Sequence, residues 1–389
     1  MRILIVHNLL WAHYKSSVFQ AFQRLVDQQI NVSVHVLQIA RNERSRAGLE
    51  TINPDETTPV YTYDYELLFD RYLEEVSLRE RAQALLQRAK AYKPDVINLT
   101  GYYDPAQILL LLWAKSSGIR VVMQNESTGA DQPRGGWKEQ FKRWLFQRCD
   151  GFFCFGSQSA DYLIQLGVNP EKILLRKNAV DNDVLQSVYE KALPDRVNMQ
   201  QAMQLRANNF VFVGRLIEAK NLPMLLTAFA EALKYSTNST NWGLILLGDG
   251  AERDNLNRQI TTLDLVNRIT ILPGRPWFRV PEVLALSDVL VLPSRSEPWG
   301  LVVNEAMACG LPVLVSDRCG CVTDLVPHGQ TGFVFDPDQP DQLTHWLIQF
   351  MNGSVNTQQM GQFAKQFIAP YSPEAVAQEM LDGFRKIMN

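Results

Sequence analysis

Two glutamates flanking a glycine turn, Glu297 and Glu305, are the side chains of this sequence whose types and spacing point most directly to chemistry. They stand eight residues apart in Ser294-Arg295-Ser296-Glu297-Pro298-Trp299-Gly300-Leu301-Val302-Val303-Asn304-Glu305. An apolar run, Asp288 to Pro293, precedes them, and a helix-forming run follows and stops at Gly310 and Pro312. The pattern predicts a strand, a tight turn and a helix. The turn then lies at the carboxyl end of a strand, where open α/β sheets bind ligands. The N–H groups of Gly300, Leu301 and Val302 fall at the helix start, a ready anion site. Glu305 lies four residues beyond Leu301 on the same face, and helical side chains lean back toward the N-terminus. A ligand carrying both a phosphate and sugar hydroxyls fits that arrangement. A glutamate so placed also serves as a plain partner of the helix dipole, and the spacing alone leaves both roles open.

The two glutamates and the run Glu305-Ala306-Met307-Ala308-Cys309-Gly310-Leu311-Pro312-Val313 resemble the E-x7-E signature of the family 4 glycosyltransferases, which have the GT-B fold. The resemblance implies that Glu297 contacts the transferred sugar and Glu305 the nucleotide ribose. Upstream, Gly214-Arg215-Leu216-Ile217-Glu218-Ala219-Lys220 resembles the family's G-R-L-x-x-x-K pattern, with Asn221 where the family usually has glycine. Arg215 and Lys220 are thereby implied to clamp the donor's pyrophosphate, arginine as a bidentate fork and lysine as a point charge. Fixed cations aimed at developing charge stabilise the transition state more than the ground state. Gly248-Asp249-Gly250 resembles the strand-end loop beside the nucleotide. Pro273-Gly274-Arg275 occupies the place where the family's backbone receives the base.

The N-terminal half departs from that pattern. After the first strand many members carry a Gly-Gly loop; here the run is His7-Asn8-Leu9-Leu10-Trp11-Ala12-His13-Tyr14-Lys15-Ser16-Ser17. Ser16 or Ser17 is expected to cap the next helix, and His7 reads equally as a core histidine. Asn8 and Tyr14 are candidates for the sugar or the acceptor. Where the family often has a histidine, this chain has Gln124-Asn125-Glu126-Ser127. Asn125 and Glu126 are its nearest replacements. The most basic segment, 134–148, carries Trp137, Phe141, Trp144, Leu145 and Arg148 at three- and four-residue steps, with Lys138, Lys142 and Arg143 toward another face. Two readings follow: a core-facing aromatic stripe, which the sequence slightly favours, or a helix resting on an anionic membrane.

These residues need a scaffold, and the rest of the chain supplies one. Strand-like runs alternate with helix-length segments throughout the 389 residues, predicting two parallel sheets with helices on both faces. The expected architecture is α/β with the GT-B fold: two doubly wound Rossmann-like domains facing across a cleft. Residues 1–185 form the acceptor-side domain, 186–370 the nucleotide-sugar domain, and 371–389 a terminal helix crossing back to the first. The polar stretch Asn182 to Asn209 is the expected junction. A net charge of −3 gives no global attraction for nucleic acid. Five irregularly spaced cysteines fit a reducing compartment, hence a cytoplasmic protein, peripheral on the inner membrane face if segment 134–148 docks there. Asp181-Asn182-Asp183 and Asp336-Pro337-Asp338 spell D-x-D, the manganese motif of another glycosyltransferase fold, yet Arg215 and Lys220 make a metal dispensable. No metal ligand and no cofactor are expected. The resemblance therefore implies a retaining, metal-independent glycosyltransferase of polysaccharide or glycolipid biosynthesis. Its partners would be a nucleotide-sugar donor and a saccharide or lipid-linked acceptor. An epimerase of the same fold and a non-catalytic sugar-nucleotide binder are the alternatives.

Overall fold

The computed structural model describes residues 1–44, 61–128 and 136–389. They form two units, Met1–Val180 with Tyr371–Asn389, and Asp181–Pro370.

The first unit runs β1 (Arg2–Leu9), α1 (His13–Asp27), β2 (Ser33–Asn42), β3 (Tyr65–Tyr72), α2 (Leu78–Tyr92), β4 (Val96–Leu99) and α3 (Pro105–Ser116). It continues with β5 (Arg120–Asn125), α4 (Trp137–Phe146), β6 (Gly151–Cys154), α5 (Ser157–Gln165) and β7 (Ile173–Arg176). All its strand pairs are parallel, in the order β3-β2-β1-β4-β5-β6-β7. Central strands read as unbroken apolar runs because both faces are covered: Ile3, Leu4, Ile5 and Val6 are fully buried. The strand-like runs legible in the sequence do not include β3 or β7. Both are edge strands; β3, Tyr-Glu-Leu-Leu-Phe-Asp-Arg-Tyr, has no buried residue, so an apolar run is missing.

The second unit opens with α6 (Asn182–Ala192), α7 (Arg196–Ala202), β8 (Asn208–Val213), α8 (Leu222–Tyr235), β9 (Trp242–Leu247), α9 (Arg253–Thr262) and β10 (Ile269–Leu272). It goes on through α10 (Val280–Leu284), β11 (Val289–Leu292), α11 (Leu301–Ala308), β12 (Val313–Ser316), α12 (Val322–Leu325) and β13 (Gly332–Phe335) to α13 (Pro340–Met351) and α14 (Thr357–Ile368). Its parallel sheet has the order β10-β9-β8-β11-β12-β13.

The stretch expected as a junction is helical and belongs to the second unit. The Asp181 carboxylate caps α6 by accepting the Val184 N–H (3.2 Å), and Arg196 holds both oxygens of Asp288 at 2.9 Å. The division at Val180/Asp181 therefore precedes residue 185, because the capping aspartate folds with its helix. The last helix, α15 (Pro373–Met388), belongs to the first unit. Its buried Phe384 meets Phe22 and Phe153 edge-on at 5.8 and 5.1 Å, and Ser372 caps it. No helix among the described residues is long and apolar enough to cross a membrane.

Candidate functional site

Each sheet reverses its strand order once, between β1 and β4 and between β8 and β11. Ligands of doubly wound sheets bind outside the strand ends at such a reversal. In the second unit the loops leaving β8 and β11 carry Arg215, Lys220 and Glu297. The backbone ties those loops together: the Arg295 N–H donates to Ala219 O (2.9 Å). Lys220 Nζ then donates to the Glu297 carboxylate, and the two side chains are only 13% and 17% exposed. Sequence reasoning gave these groups to different parts of a ligand, and the structure brings them into one ion pair. Arg215 is exposed and forms no ion pair among the described residues.

Close backbone packing fixes the β8 loop. Gly214 donates to Leu247 O (3.0 Å) and Leu216 to Asp249 O (2.9 Å), pressing the β8 loop onto the β9 loop. Gly248 has φ +151°, and a Cβ there would fall 1.9 Å from Gly214 O, so only glycine fits. Asn221 takes the place of the family's glycine. It adopts φ +54°, which asparagine tolerates, and its Nδ2 holds Pro337 O at 3.2 Å. The Asp249 carboxylate accepts the Gly274 N–H (2.7 Å) and so fixes the β10 loop. Arg275 of that loop donates to Glu282 (2.8 Å), while Pro273 is exposed.

The β11 loop is held from a side the motif did not foretell. Gly320 and Cys321 donate to Glu297 O (2.9 Å) and Trp299 O (3.1 Å), so the loop leaving β12 braces the glutamate from behind. Cys319 and Cys321 are fully buried, and burial first, then the Glu297 charge, pushes the Cys319 thiol up. Gly300 caps α11 with φ +98°, and Leu301 and Val302 open its first turn, whose amides lack a carbonyl four residues back. The Trp299 indole donates to Asn304 Oδ1 (2.9 Å), locking the turn onto the helix. Glu305, one turn further, is 3% exposed.

In the first unit, side chains close the corresponding reversal. Asn8 Oδ1 accepts from Gln107 Nε2 (2.6 Å), and Thr100 Oγ1 donates to Val6 O (2.6 Å). His7 is buried, with Nδ1 3.0 Å from Leu9 O and 3.1 Å from Gln38 Oε1. Neither Ser16 nor Ser17 caps α1: the cap is Ala12, and Ser17 Oγ donates to the Tyr14 carbonyl (2.9 Å) from inside the helix. Asn125 is 2% exposed and its Nδ2 donates to Ser159 Oγ (2.7 Å) and Ser127 O (3.0 Å). It secures the β5 and β6 strand ends. Its neighbour Glu126 is exposed. Lys15, which the sequence offers beside Tyr14 as a residue facing a ligand, stands with Nζ 3.3 Å from the Phe155 ring centroid. Burial lowers its pKa to about 8, the Glu126 charge pulling the other way.

The aromatic stripe of 134–148 does not face the core, contrary to the reading the sequence favoured. Arg134 and Gly135 lie outside the described residues; of the rest, Trp137, Phe141 and Trp144 are 74%, 42% and 38% exposed. Phe141 stacks on Trp144, over which Arg148 lies at 3.7 Å, and Leu145 and Phe146 are the residues α4 buries. The two D-x-D strings do local work. Asp181 caps α6, and Asp336 accepts the Asp338 N–H (2.9 Å).

Comparison with known proteins gives the family and the fold. Residues 16–184 match the family described as Glycosyltransferase Family 4, and residues 198–367 that described as Glycosyl transferases group 1. The N-acetyl-alpha-D-glucosaminyl L-malate synthase of Bacillus anthracis is 24% identical over 55% of this chain and 56% of its own. The D-inositol 3-phosphate glycosyltransferase of Corynebacterium diphtheriae is 30% identical over 45% of this chain and 42% of its own. The chain thus spans about half the length of the curated relatives it matches. Among solved structures, Anabaena HepE in complex with UDP superposes with a TM-score of 0.75 at 19% identity, over 99% of this chain and 100% of that one. Sucrose-phosphate synthase from Thermosynechococcus elongatus gives 0.72 at 16%, over 100% and 99%.

Proposed function

Because the chain belongs to glycosyltransferase family 4 and has the GT-B fold, we propose that it is a retaining, metal-independent enzyme that moves a sugar from a nucleoside diphosphate sugar to a hydroxyl acceptor. The observation that carries this reading is the strand reversal of the second unit. There the Lys220–Glu297 ion pair joins the loops leaving β8 and β11, Arg215 follows β8, and the first turn of α11 follows β11. The diphosphate lies on Arg215, Lys220 and the amides of Gly300, Leu301 and Val302. Glu305 receives the ribose, Glu297 the sugar, and the backbone at Pro273, Gly274 and Arg275 the base. In the chemical step the acceptor oxygen bonds to the anomeric carbon on the face the leaving group departs from. The bond from that carbon to the phosphate oxygen breaks, and its electron pair goes to the diphosphate. A phosphate oxygen takes the acceptor's proton. Fixed positive charge at the leaving diphosphate lowers the barrier, so activity is expected to survive a chelator; loss restored by manganese would overturn this.

The acceptor comes to the first unit, where Glu126 follows β5 and Tyr14 lies in the first turn of α1, just beyond β1. The solvent-facing Trp137, Phe141 and Trp144, bordered by Lys138, Arg143 and Arg148, support peripheral contact with an anionic bilayer on its cytoplasmic face. A lipid-linked saccharide is then the acceptor, and the pathway builds a polysaccharide or glycolipid. Incubation with UDP-, GDP- and ADP-sugars, with and without lipid-linked saccharides, tests the reading. Acceptor-dependent release of nucleoside diphosphate, with the product keeping the donor's anomeric configuration, is expected. Since HepE is described with UDP, UDP-sugars are the first donors to try. Conversion of the donor without acceptor would make the protein an epimerase; inversion would remove the retaining assignment.

A further inference from the structure

The contact between Lys220 and Glu297 has a consequence for which ligand the site keeps. Both side chains are more than four-fifths buried, so each is the other's main neutraliser. Taking one partner from a buried pair leaves an uncompensated charge, which is strongly unfavourable. The main chain that carries each group is held in place. Lys220 ends the loop whose Ala219 carbonyl is held by the Arg295 N–H, and the Glu297 carbonyl is held by the Gly320 N–H. A phosphate arriving at Lys220 therefore meets a carboxylate already there, and two anions share one ammonium. Arg215 and the α11 amides help to hold the phosphate, but the carboxylate that loses its ammonium needs new donors, and the hydroxyls of a sugar attached to that same diphosphate supply them.

We propose that Glu297 is a displaceable counter-ion of Lys220 that makes this site prefer the intact nucleotide sugar over its nucleoside diphosphate product. This rests on the reading of the second unit as the donor site. The donor brings both replacements at once, an anion for Lys220 and hydroxyls for Glu297. After transfer the diphosphate remains but the hydroxyls are gone, so the carboxylate reclaims the ammonium and weakens the product's hold. Glu297 is thus a specificity-determining residue for donor over product, in addition to its place beside the sugar.

The test measures dissociation constants by isothermal titration for the nucleoside diphosphate, of UDP, GDP and ADP, that raises the melting temperature most, and for its glucose conjugate. In Glu297→Gln, affinity for the bare diphosphate is expected to rise about three- to tenfold, the net range of one ordinary hydrogen bond. The conjugate should gain less, so the donor-to-product preference shrinks. On a Lys220→Met background the same glutamine change should no longer tighten diphosphate binding, and this double variant leaves no unpaired charge to unfold the protein. Unchanged or weaker diphosphate binding in Glu297→Gln, with Lys220→Met still impaired, overturns the counter-ion role and leaves the donor site standing. Diphosphate binding unaffected by Lys220→Met, or no binding of any of the three by the wild type, overturns the donor site and this proposal with it.

Discussion

The two units share one topology and finish their strand reversals differently. In the second, main-chain bonds and glycine-only contacts stack the loops leaving β8, β9 and β11, and the side chains at the mouth are an exposed arginine and an ion pair. In the first, neutral side chains span the gap, Gln107 to Asn8, Thr100 to Val6 and Asn125 to Ser159. Backbone-built loops leave their charged groups available to a ligand, whereas side-chain-built loops spend their polar groups on holding themselves together. The same sheet thus yields a charged binding mouth in one unit and a braced, largely neutral rim in the other.

The comparison can be broken most forcefully at Lys220. Lys220→Ala is expected to lower transfer about 10²–10³-fold, the effect of losing one fixed electrostatic donor, as measured by initial rates at saturating donor. Near-normal rates would mean the charged mouth is not the donor site. Gly248→Ala should cost about 3 kcal/mol in chemical unfolding, because the added methyl meets a carbonyl at 1.9 Å and the residue's φ is positive. In the first unit, Asn125→Ala should cost about 1–3 kcal/mol by removing the amide that Ser127 O and Ser159 Oγ accept from, although the Ser159 hydroxyl keeps its bond to the main-chain oxygen of residue 125, while leaving donor affinity unchanged in a titration. A large loss of donor affinity would erase the distinction between the rims.

Two smaller effects sharpen it. Lys15 has a pKa lowered to about 8 by burial, so between there and its ordinary 10.5 the unfolded chain binds more protons than the folded one. Stability from this group therefore rises with pH across that window, with a slope of at most about 1.4 kcal/mol per pH unit. Lys15→Met should flatten that slope in urea titrations at pH 8 to 10. Replacing Trp137, Phe141 and Trp144 together by serine should cost about 1–2 kcal/mol of stability, since more than half of Phe141 and of Trp144 is covered. It should still abolish sedimentation with anionic vesicles at low salt. Unchanged sedimentation would remove the membrane contact.

The asymmetry also explains what the sequence disclosed. Loops built from glycine and main-chain bonds leave a local signature, so Gly214, Gly248, Gly300 and the charged groups beside them were legible in order. The left-handed position at 221 was disguised only because asparagine holds it. The bracing of Glu297 by Gly320 and Cys321 was not legible, since it joins segments more than twenty residues apart through backbone groups that any sequence carries. Side-chain braces hide for a related reason: Asn125 and Asn8 read as candidate ligand contacts until the partners that occupy them, Ser159 and Gln107, are known. Amphipathicity gave α4 its apolar stripe but not its direction. Leu145 and Phe146 take the core, and the larger rings are left outside. Edge strand β3 escaped because none of it is fully buried and charged residues interrupt its apolar run, and β7 because its apolar run, Ile173 to Leu175, is only three residues long.

Hydrogen exchange of the whole chain, with and without saturating nucleoside diphosphate, tests the central claim most directly. The amides of 214–220, 248–252 and 295–302 are expected to slow, while those of 100–104 and 125–128 stay unchanged. Slowing confined to the first unit's segments, with the second unit's loops unaffected, would contradict the assignment of the donor to the second unit.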